Sequence, residues 1–186
     1  MTTNHKHFLD LAFKIAETNL GKTKLNPSVG TIIVKNNTVI SSGVTSINGR
    51  PHAEFNSLNK NINFKGGDLY TTLEPCTHYG MTPPCVNIIT KKKIKNVYFS
   101  FNDPDLRTLK KAKNFLKKKK IKAKLIKTKN FQGFYRSYFF NKLFKLPFIT
   151  AKIAISKDYF SISKKNKWIT GKDSQKITHL LRSKND

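Results

Sequence analysis

The sequence predicts a layered α/β domain with a mixed sheet of about five strands. β-rich runs alternate with helical patterns, the first two runs form a hairpin, and aromatic residues are spread along the chain. With 186 residues, of which 38% are hydrophobic, the chain is long enough for one well-buried domain and a short addition. This composition is typical of a folded protein rather than a disordered one.

The amino-terminal part begins with a helix and a hairpin. Apolar residues recur at helical spacing over residues 5–20, which predicts an amphipathic helix. Residues 29–34 and 38–43 are β-rich runs, and Asn36 and Asn37 between them favour a tight turn. We expect these two strands to pair in the sheet.

The middle of the chain alternates between helices, strands and one long loop. A helix begins near His52, a strand covers 69–73 after a Gly-Gly pair, and a Gly/Thr/Pro-rich loop covers 75–84. A helix over 85–92 and a β-rich run over 96–101 follow.

Three further elements complete the predicted domain. Apolar residues at helical spacing predict a helix over 108–119 and an aromatic-rich one over 131–144. Between them, residues 121–125 alternate apolar side chains with lysines, which indicates a half-buried edge strand protected by its charges.

The residue pattern of the sequence changes after residue 145. A strand-like run over 148–155 precedes a Ser/Lys/Asn-rich stretch and a helical end. About 40 residues cannot form a competent second domain. We therefore predict a domain at 1–145 and, at 146–186, the truncated start of another.

The formal charge of +26 raises the possibility of a nucleic-acid partner. However, only four of the 36 basic residues are Arg, the residue that makes bidentate phosphate and base contacts. A solvated lysine surface is preferred over a dedicated nucleic-acid face, and we expect no membrane partner. No apolar run approaches the roughly 20 residues of a membrane span. Two cysteines without an export signal indicate a reducing compartment, which we expect to be the cytoplasm.

One group of residues points to metal chemistry. His52, Cys76 and Cys85 are three ligands that leave the fourth tetrahedral position of a zinc ion open to water, as catalytic zinc requires. Glu54 is a carboxylate beside them that can carry protons. This set predicts hydrolytic deamination of a heterocycle, with one Zn²⁺ per chain.

Other interpretations of these residues stay open at the level of sequence. Cys76 and Cys85 are alternatively inert buried thiols or a disulfide, and Glu54 alternatively only favours a helix start. His78, between the cysteines, is a competing zinc ligand, although a place in the pocket wall is preferred.

The motifs resemble a known family over about residues 5–145. They are the segments 26–30 (Asn-Pro-Ser-Val-Gly), 52–54 (His-Ala-Glu), 72–85 (from Thr-Leu-Glu-Pro-Cys to Thr-Pro-Pro-Cys) and 103–104 (Asp-Pro). Together they are similar to the deaminase domain of the bifunctional riboflavin-biosynthesis deaminase/reductase. Eight residues separate the cysteines, as in that family, whereas most cytidine, deoxycytidylate and tRNA-adenosine deaminases have two.

The resemblance implies a cytidine-deaminase-like three-layer α/β/α fold and a phosphorylated pyrimidine substrate. That substrate is 2,5-diamino-6-ribosylamino-4(3H)-pyrimidinone 5′-phosphate, which loses its 2-amino group as ammonia. By the family pattern His52, Cys76 and Cys85 hold zinc, and Glu54 is the catalytic proton shuttle. The family also suggests a homo-oligomer.

The family pattern further implies substrate contacts. Asn26 matches a substrate-contacting position, with capping of a turn as its alternative role, and His78 and Thr82 belong to a loop over the ribose phosphate. Two positions depart from the pattern. Met81 stands where a Lys or Arg is usual, and Thr45 where a His is frequent. We expect turnover with weakened phosphate binding.

The carboxyl-terminal segments 147–158, 168–171 and 181–183 resemble the opening of the family's NADPH-dependent reductase domain. Trp168 and Arg182 align with nucleotide- and substrate-contacting positions. NADPH would belong to the missing remainder, so we expect no reductase activity.

Two alternative functions are a nucleotide or tRNA-adenosine deaminase, suggested by the basic charge, and a non-catalytic zinc-stabilised scaffold. The eight-residue gap between the cysteines argues against the first.

Overall fold

The computed structural model describes residues 4–128, 131–161 and 169–184. The strands are β1 (Gly30–Lys35), β2 (Thr38–Val44), β3 (Asp68–Leu73), β4 (Asn96–Phe101) and β5 (Lys122–Leu125). The helices are α1 (His5–Glu17), α2 (Ala53–Leu58), α3 (Cys85–Lys91), α4 (Ala112–Lys118), α5 (Arg136–Phe144) and α6 (Lys172–Arg182).

The five strands form one mixed sheet in the order β2-β1-β3-β4-β5. β1 is antiparallel to both β2 and β3, while β3–β4 and β4–β5 are parallel. The register pairs Ile33 with Leu69 and Leu69 with Val97, which aligns apolar side chains across the sheet. The predicted α/β class with a mixed sheet of about five strands is confirmed.

Alternation along the strands divides the core between the two faces of the sheet. Ile33, Leu69 and Val97 face a cluster that includes buried side chains of α2, α3 and α4. Their neighbours Ile32 and Tyr70 face the opposite cluster, which contains α1 side chains. The result is three layers, helices on both sides of one sheet.

Helix α1 packs directly against the sheet at Gly30. The Asn4 side chain caps its start by accepting a hydrogen bond from the His7 N–H, and its apolar face is buried. At Gly30, on β1, a β-carbon would collide with the carbonyl oxygen of Ala12. A residue without a side chain at this position therefore sets the distance between helix and sheet.

The helix predicted over 108–119 begins later, at Ala112. The carboxylate of Asp103 accepts from the N–H of Asp105, and that of Asp105 accepts from the N–H of Arg107. Such local bonds compete with helix formation. Glu74 then accepts from the N–H of Ala112 at the start of α4.

The carboxyl-terminal predictions are met in part. The helix predicted over 131–144 is confirmed only from Arg136 onward. The strand predicted over 148–155 is wrong, because this segment forms no ladder with any described strand. Trp168 lies outside the described residues. Among the described helices, none is both long and apolar enough to cross a membrane.

Candidate metal centre and active site

The three predicted metal ligands meet where the amino ends of two helices face the end of β3. His52 is the residue before α2, Cys85 is the first residue of α3, and Cys76 lies three residues beyond β3. His52 lies 24 positions before Cys76 and 33 before Cys85, and the ends of α2, α3 and β3 bring the three residues together.

The distances between the ligand atoms suit a zinc ion. His52 Nδ1 lies 3.7 Å from Cys76 Sγ and 3.4 Å from Cys85 Sγ. Tetrahedral bonds of about 2.3 Å to sulfur and about 2.0 Å to nitrogen would place such atoms about 3.5 Å apart. All three ligand atoms lie within 4.8 Å of one another. The residues fit the metal that their chemistry predicts.

The two cysteines are free thiols, so the disulfide alternative does not describe this structure. A hydrogen bond from the Cys85 thiol lowers the pKa of Cys76, and the backbone N–H of Cys85 adds a further bond at 3.2 Å. The shared proton and burial raise the pKa of Cys85. The opposite pKa directions favour the thiolate at Cys76 over one at Cys85.

Glu54 lies in the first turn of α2 and is only 4% exposed. Burial, with a smaller contribution from the negative Cys76, raises the pKa of its carboxyl group to about 7. A carboxyl group that titrates near neutrality both accepts and donates protons readily. Glu54 lines the same cavity as His52 and Cys76.

The remaining predicted site residues lie around this cavity. Asn26 lines it, with its amide nitrogen 3.1 Å from the carbonyl oxygen of Gly49. His78 also lines it, and its Nδ1 lies 3.0 Å from the hydroxyl of Thr108. Thr82 does not line the cavity. Its hydroxyl accepts a hydrogen bond at 2.9 Å from Arg50, which does.

The cavity has a charged rim that sequence reasoning missed. Asp105 accepts hydrogen bonds from Arg107 Nε at 2.9 Å and Nη2 at 2.6 Å, and Lys142 Nζ lies 3.7 Å away. The hydroxyl of Tyr138 donates to the buried carboxylate of Asp103 at 3.0 Å. A sequence signal existed for Asp103, in the Asp-Pro motif.

No sequence signal marks Tyr138 or Lys142 as residues of the site. Both lie on α5, which packs its aromatic side chains against α1 and β4 through contacts such as Phe101–Phe139. This packing brings α5 to the cavity.

Comparison with known proteins identifies the family. Residues 2–101 match the family described as the cytidine and deoxycytidylate deaminase zinc-binding region. A diaminohydroxyphosphoribosylamino-pyrimidine deaminase of Buchnera aphidicola is 36% identical over 136 residues, which cover 72% of this chain and 92% of that protein. The chain belongs to this zinc-binding deaminase family. The group formed by His52, Cys76 and Cys85 is accordingly placed for the family's metal.

Longer members of the deaminase family match nearly the whole chain. The riboflavin biosynthesis protein RibD of Aquifex aeolicus is 34% identical over 95% of this chain and 51% of its own length. The structure of Acinetobacter baumannii RibD superposes with a TM-score of 0.86 at 28% identity, over 97% of this chain and 51% of that chain. The chain spans about half the length of these relatives.

These matches confirm two expectations from the sequence. The resemblance to the riboflavin-biosynthesis deaminases is confirmed. So is the cytidine-deaminase-like fold, which an Aspergillus oryzae Rib2 deaminase shares at 19% identity and a TM-score of 0.56.

Proposed function

We propose that the chain deaminates 2,5-diamino-6-ribosylamino-4(3H)-pyrimidinone 5′-phosphate to 5-amino-6-(5-phosphoribosylamino)uracil and ammonia, a reaction of riboflavin biosynthesis. The observation that carries the proposal is the buried carboxyl group of Glu54 beside three convergent metal ligands. The name of the Buchnera relative supports the substrate class. Water supplies the oxygen that replaces the departing amino nitrogen.

In this proposal His52, Cys76 and Cys85 hold zinc through Nδ1 and the two Sγ atoms. Zinc, when bound there, supplies a Lewis acid that makes water nucleophilic near neutral pH. Glu54 would take one proton from the water and deliver it to a ring nitrogen. It would then take the second proton from the hydroxyl that has added to the ring carbon and deliver it to the amine, which leaves as ammonia. A carboxyl pKa near 7 suits both directions of transfer.

We place substrate contacts at Asn26, His78 and Thr82. Asn26 and His78 line the cavity, and each is held by a hydrogen bond to a neighbouring element. Fixed donors and acceptors of this kind orient a heterocycle without reorganising when it binds. Thr82 lies outside the cavity wall, and its hydroxyl accepts a hydrogen bond from Arg50, which lines the cavity.

The test compares the wild-type chain with Glu54→Gln. Both zinc-loaded proteins receive the pyrimidinone phosphate, and ammonia release and zinc content are measured. The variant should keep one zinc per chain and its melting temperature while losing about 10²- to 10⁴-fold in kcat, the usual size of acid–base catalysis. Undiminished turnover by Glu54→Gln would remove this residue from the mechanism.

A nucleotide or tRNA deaminase is the second candidate, favoured by the charge of +26. The same ammonia assay with tRNA and with a deoxycytidylate substrate separates the two, because release should follow only the pyrimidinone phosphate. A non-catalytic zinc scaffold predicts no ammonia from any of these substrates.

The domain division at 1–145 and 146–186 is also a proposal. Helix α6 has no buried residues, which supports its belonging to a unit separate from the domain at 1–145. Limited proteolysis should cut first after residue 145 and leave a resistant fragment of about the size of residues 1–145. Assembly as a homo-oligomer and a cytoplasmic location stay predictions.

A further inference from the structure

We propose that Arg50 is the residue that anchors the substrate's phosphate in this chain. The inference rests on the proposed function. It assigns a role to a residue that lies in none of the sequence motifs named above. It follows from the charges, hydrogen bonds and position of the side chains around the cavity.

The family resemblance implies a Lys or Arg at position 81 and often a His at position 45, and this chain has Met81 and Thr45 instead. Met81 is neutral and 86% exposed. Thr45 is buried, and its hydroxyl accepts a hydrogen bond from the N–H of Val29 at 3.0 Å. A phosphate dianion in a partly enclosed site requires charge-assisted hydrogen bonds. Another cation must therefore supply them.

Three Arg or Lys side chains line the cavity, namely Arg50, Arg107 and Lys142. Arg107 and Lys142 both pair with Asp105, whose negative charge offsets part of theirs. Asp105 also accepts hydrogen bonds from both Nε and Nη2 of Arg107, so this edge of the guanidinium is not available for a phosphate. Among the described ion pairs, none includes Arg50. Arg50 is thus the wall cation whose charge no carboxylate pairs with directly.

The guanidinium of Arg50 has donors to spare. Its described hydrogen bonds involve Nη1 alone, to the hydroxyl of Thr82 at 2.9 Å and to His52 Nε2 at 3.4 Å. A guanidinium carries five N–H donors, so Nη2 and Nε stay available for two parallel bonds to a phosphate. Since His52 Nδ1 faces the thiols, metal binding leaves the ring proton on Nε2, which then offers Arg50 no acceptor.

The position of Arg50 also suits this role. The residue is half-buried in the cavity wall, two positions before His52. A β-carbon at Gly80 would lie 3.8 Å from Nη2 of Arg50. The guanidinium therefore lies beside the loop that contains Gly80 and Thr82. This loop is the one that the family resemblance places over the ribose phosphate.

The test uses the zinc-loaded full chain, the variant Arg50→Gln and the matched control Arg136→Gln. Arg136 is exposed on α5, and its substitution removes the same charge and the same type of side chain as Arg50→Gln. Each protein is assayed with the phosphorylated substrate and with the riboside lacking phosphate. Arg50→Gln should raise KM for the phosphorylated substrate about 10- to 100-fold, the size of a lost charged hydrogen bond, and Arg136→Gln should match the wild type.

The riboside separates phosphate binding from a structural role. If Arg50 binds phosphate, Arg50→Gln lowers kcat/KM at least 10-fold more for the phosphorylated substrate than for the riboside, and Arg50→Lys recovers part of the loss with the phosphorylated substrate. An equal loss for both substrates would show that Arg50 acts only through Thr82 and its loop, and would overturn the inference.

A binding measurement keeps this inference distinct from the proposed function. Ribose 5-phosphate is titrated into each zinc-loaded protein by calorimetry. Binding by the wild type and Arg136→Gln that is lost in Arg50→Gln supports the phosphate anchor even if no ammonia is released, in which case the proposed reaction alone fails. Binding unaffected by Arg50→Gln, or absent from the wild type, overturns the anchor.

Discussion

The backbone N–H of Cys85 donates a hydrogen bond to the Sγ of Cys76 at 3.2 Å. This contact joins the amino end of α3 to the loop that follows β3. Because helix amino ends carry unpaired N–H groups and favour negative charge, it stabilises a thiolate at Cys76. The geometry of the two sulfur ligands is therefore built into the fold before metal binding.

We predict that zinc stabilises the chain without being needed for its fold. The clusters on both faces of the sheet are formed by apolar side chains that do not ligate metal. Chelation should lower the melting temperature and zinc should restore it, because a ligand that binds the native state stabilises it. Thermal melts followed by circular dichroism measure both changes.

The matched variant for this prediction is Cys76→Ser, which removes one ligand. Its melting temperature should equal that of the chelated wild type and should not respond to added zinc. Complete unfolding of the chelated wild type at room temperature would contradict the prediction.

Glu74→Gln should destabilise the domain by about 1–3 kcal/mol, the cost of leaving buried N–H groups unsatisfied. The buried Glu74 carboxylate accepts hydrogen bonds from the N–H groups of Asp103, Lys110 and Ala112. A glutamine has one acceptor oxygen, and its amino group faces the same N–H groups. Urea denaturation measures the loss, with the exposed Glu17→Gln as control. Equal stability of the two variants would refute this role.

Gly30→Ala should destabilise the chain by about 1–3 kcal/mol through overpacking. The new methyl group would meet the backbone of α1 at Ala12, which cannot move without displacing the helix. Gly133→Ala is the control, since a β-carbon there has no atom within 4 Å, and it should change stability by less than about 0.5 kcal/mol. Similar melting temperatures for both variants would rule out the close packing of α1.

The ion pair between Asp105 and Arg107 should make stability depend on pH. The hydrogen bonds from Arg107 hold the pKa of Asp105 well below its ordinary value. A depressed pKa contributes stability above the unfolded pKa of about 4, and this is lost as the pH falls further. Arg107→Gln should cost about 0.5–1 kcal/mol at pH 7, because the guanidinium is largely exposed.

Denaturation of wild type and Arg107→Gln at several pH values tests this sign. The difference between them should be constant above about pH 5 and shrink as acid protonates Asp105. A difference that grows on acidification would contradict the assigned pKa direction.

Local patterns predicted much of the fold. The alternation of lysines with Ala123 and Leu125 correctly predicts an edge strand, since exposed and half-buried positions alternate there. The start of α4 was predicted too early. The side chains of Asp103 and Asp105 accept hydrogen bonds from nearby N–H groups, and the spacing of apolar residues does not reveal such bonds. The prediction of a strand at 148–155 was wrong because this segment pairs with none of the described strands, and a strand forms only with a partner.

The sequence by itself determined the donor set, since an imidazole, two thiols and an acid occur in a spacing that few other functions require. It also determined the layered fold, through patterns that repeat over neighbouring residues. Only the tertiary structure decided which cations line the cavity and which of them Asp105 already neutralises. Side-chain charge is a property of one residue, whereas the pairing of charges depends on contacts between distant parts of the chain.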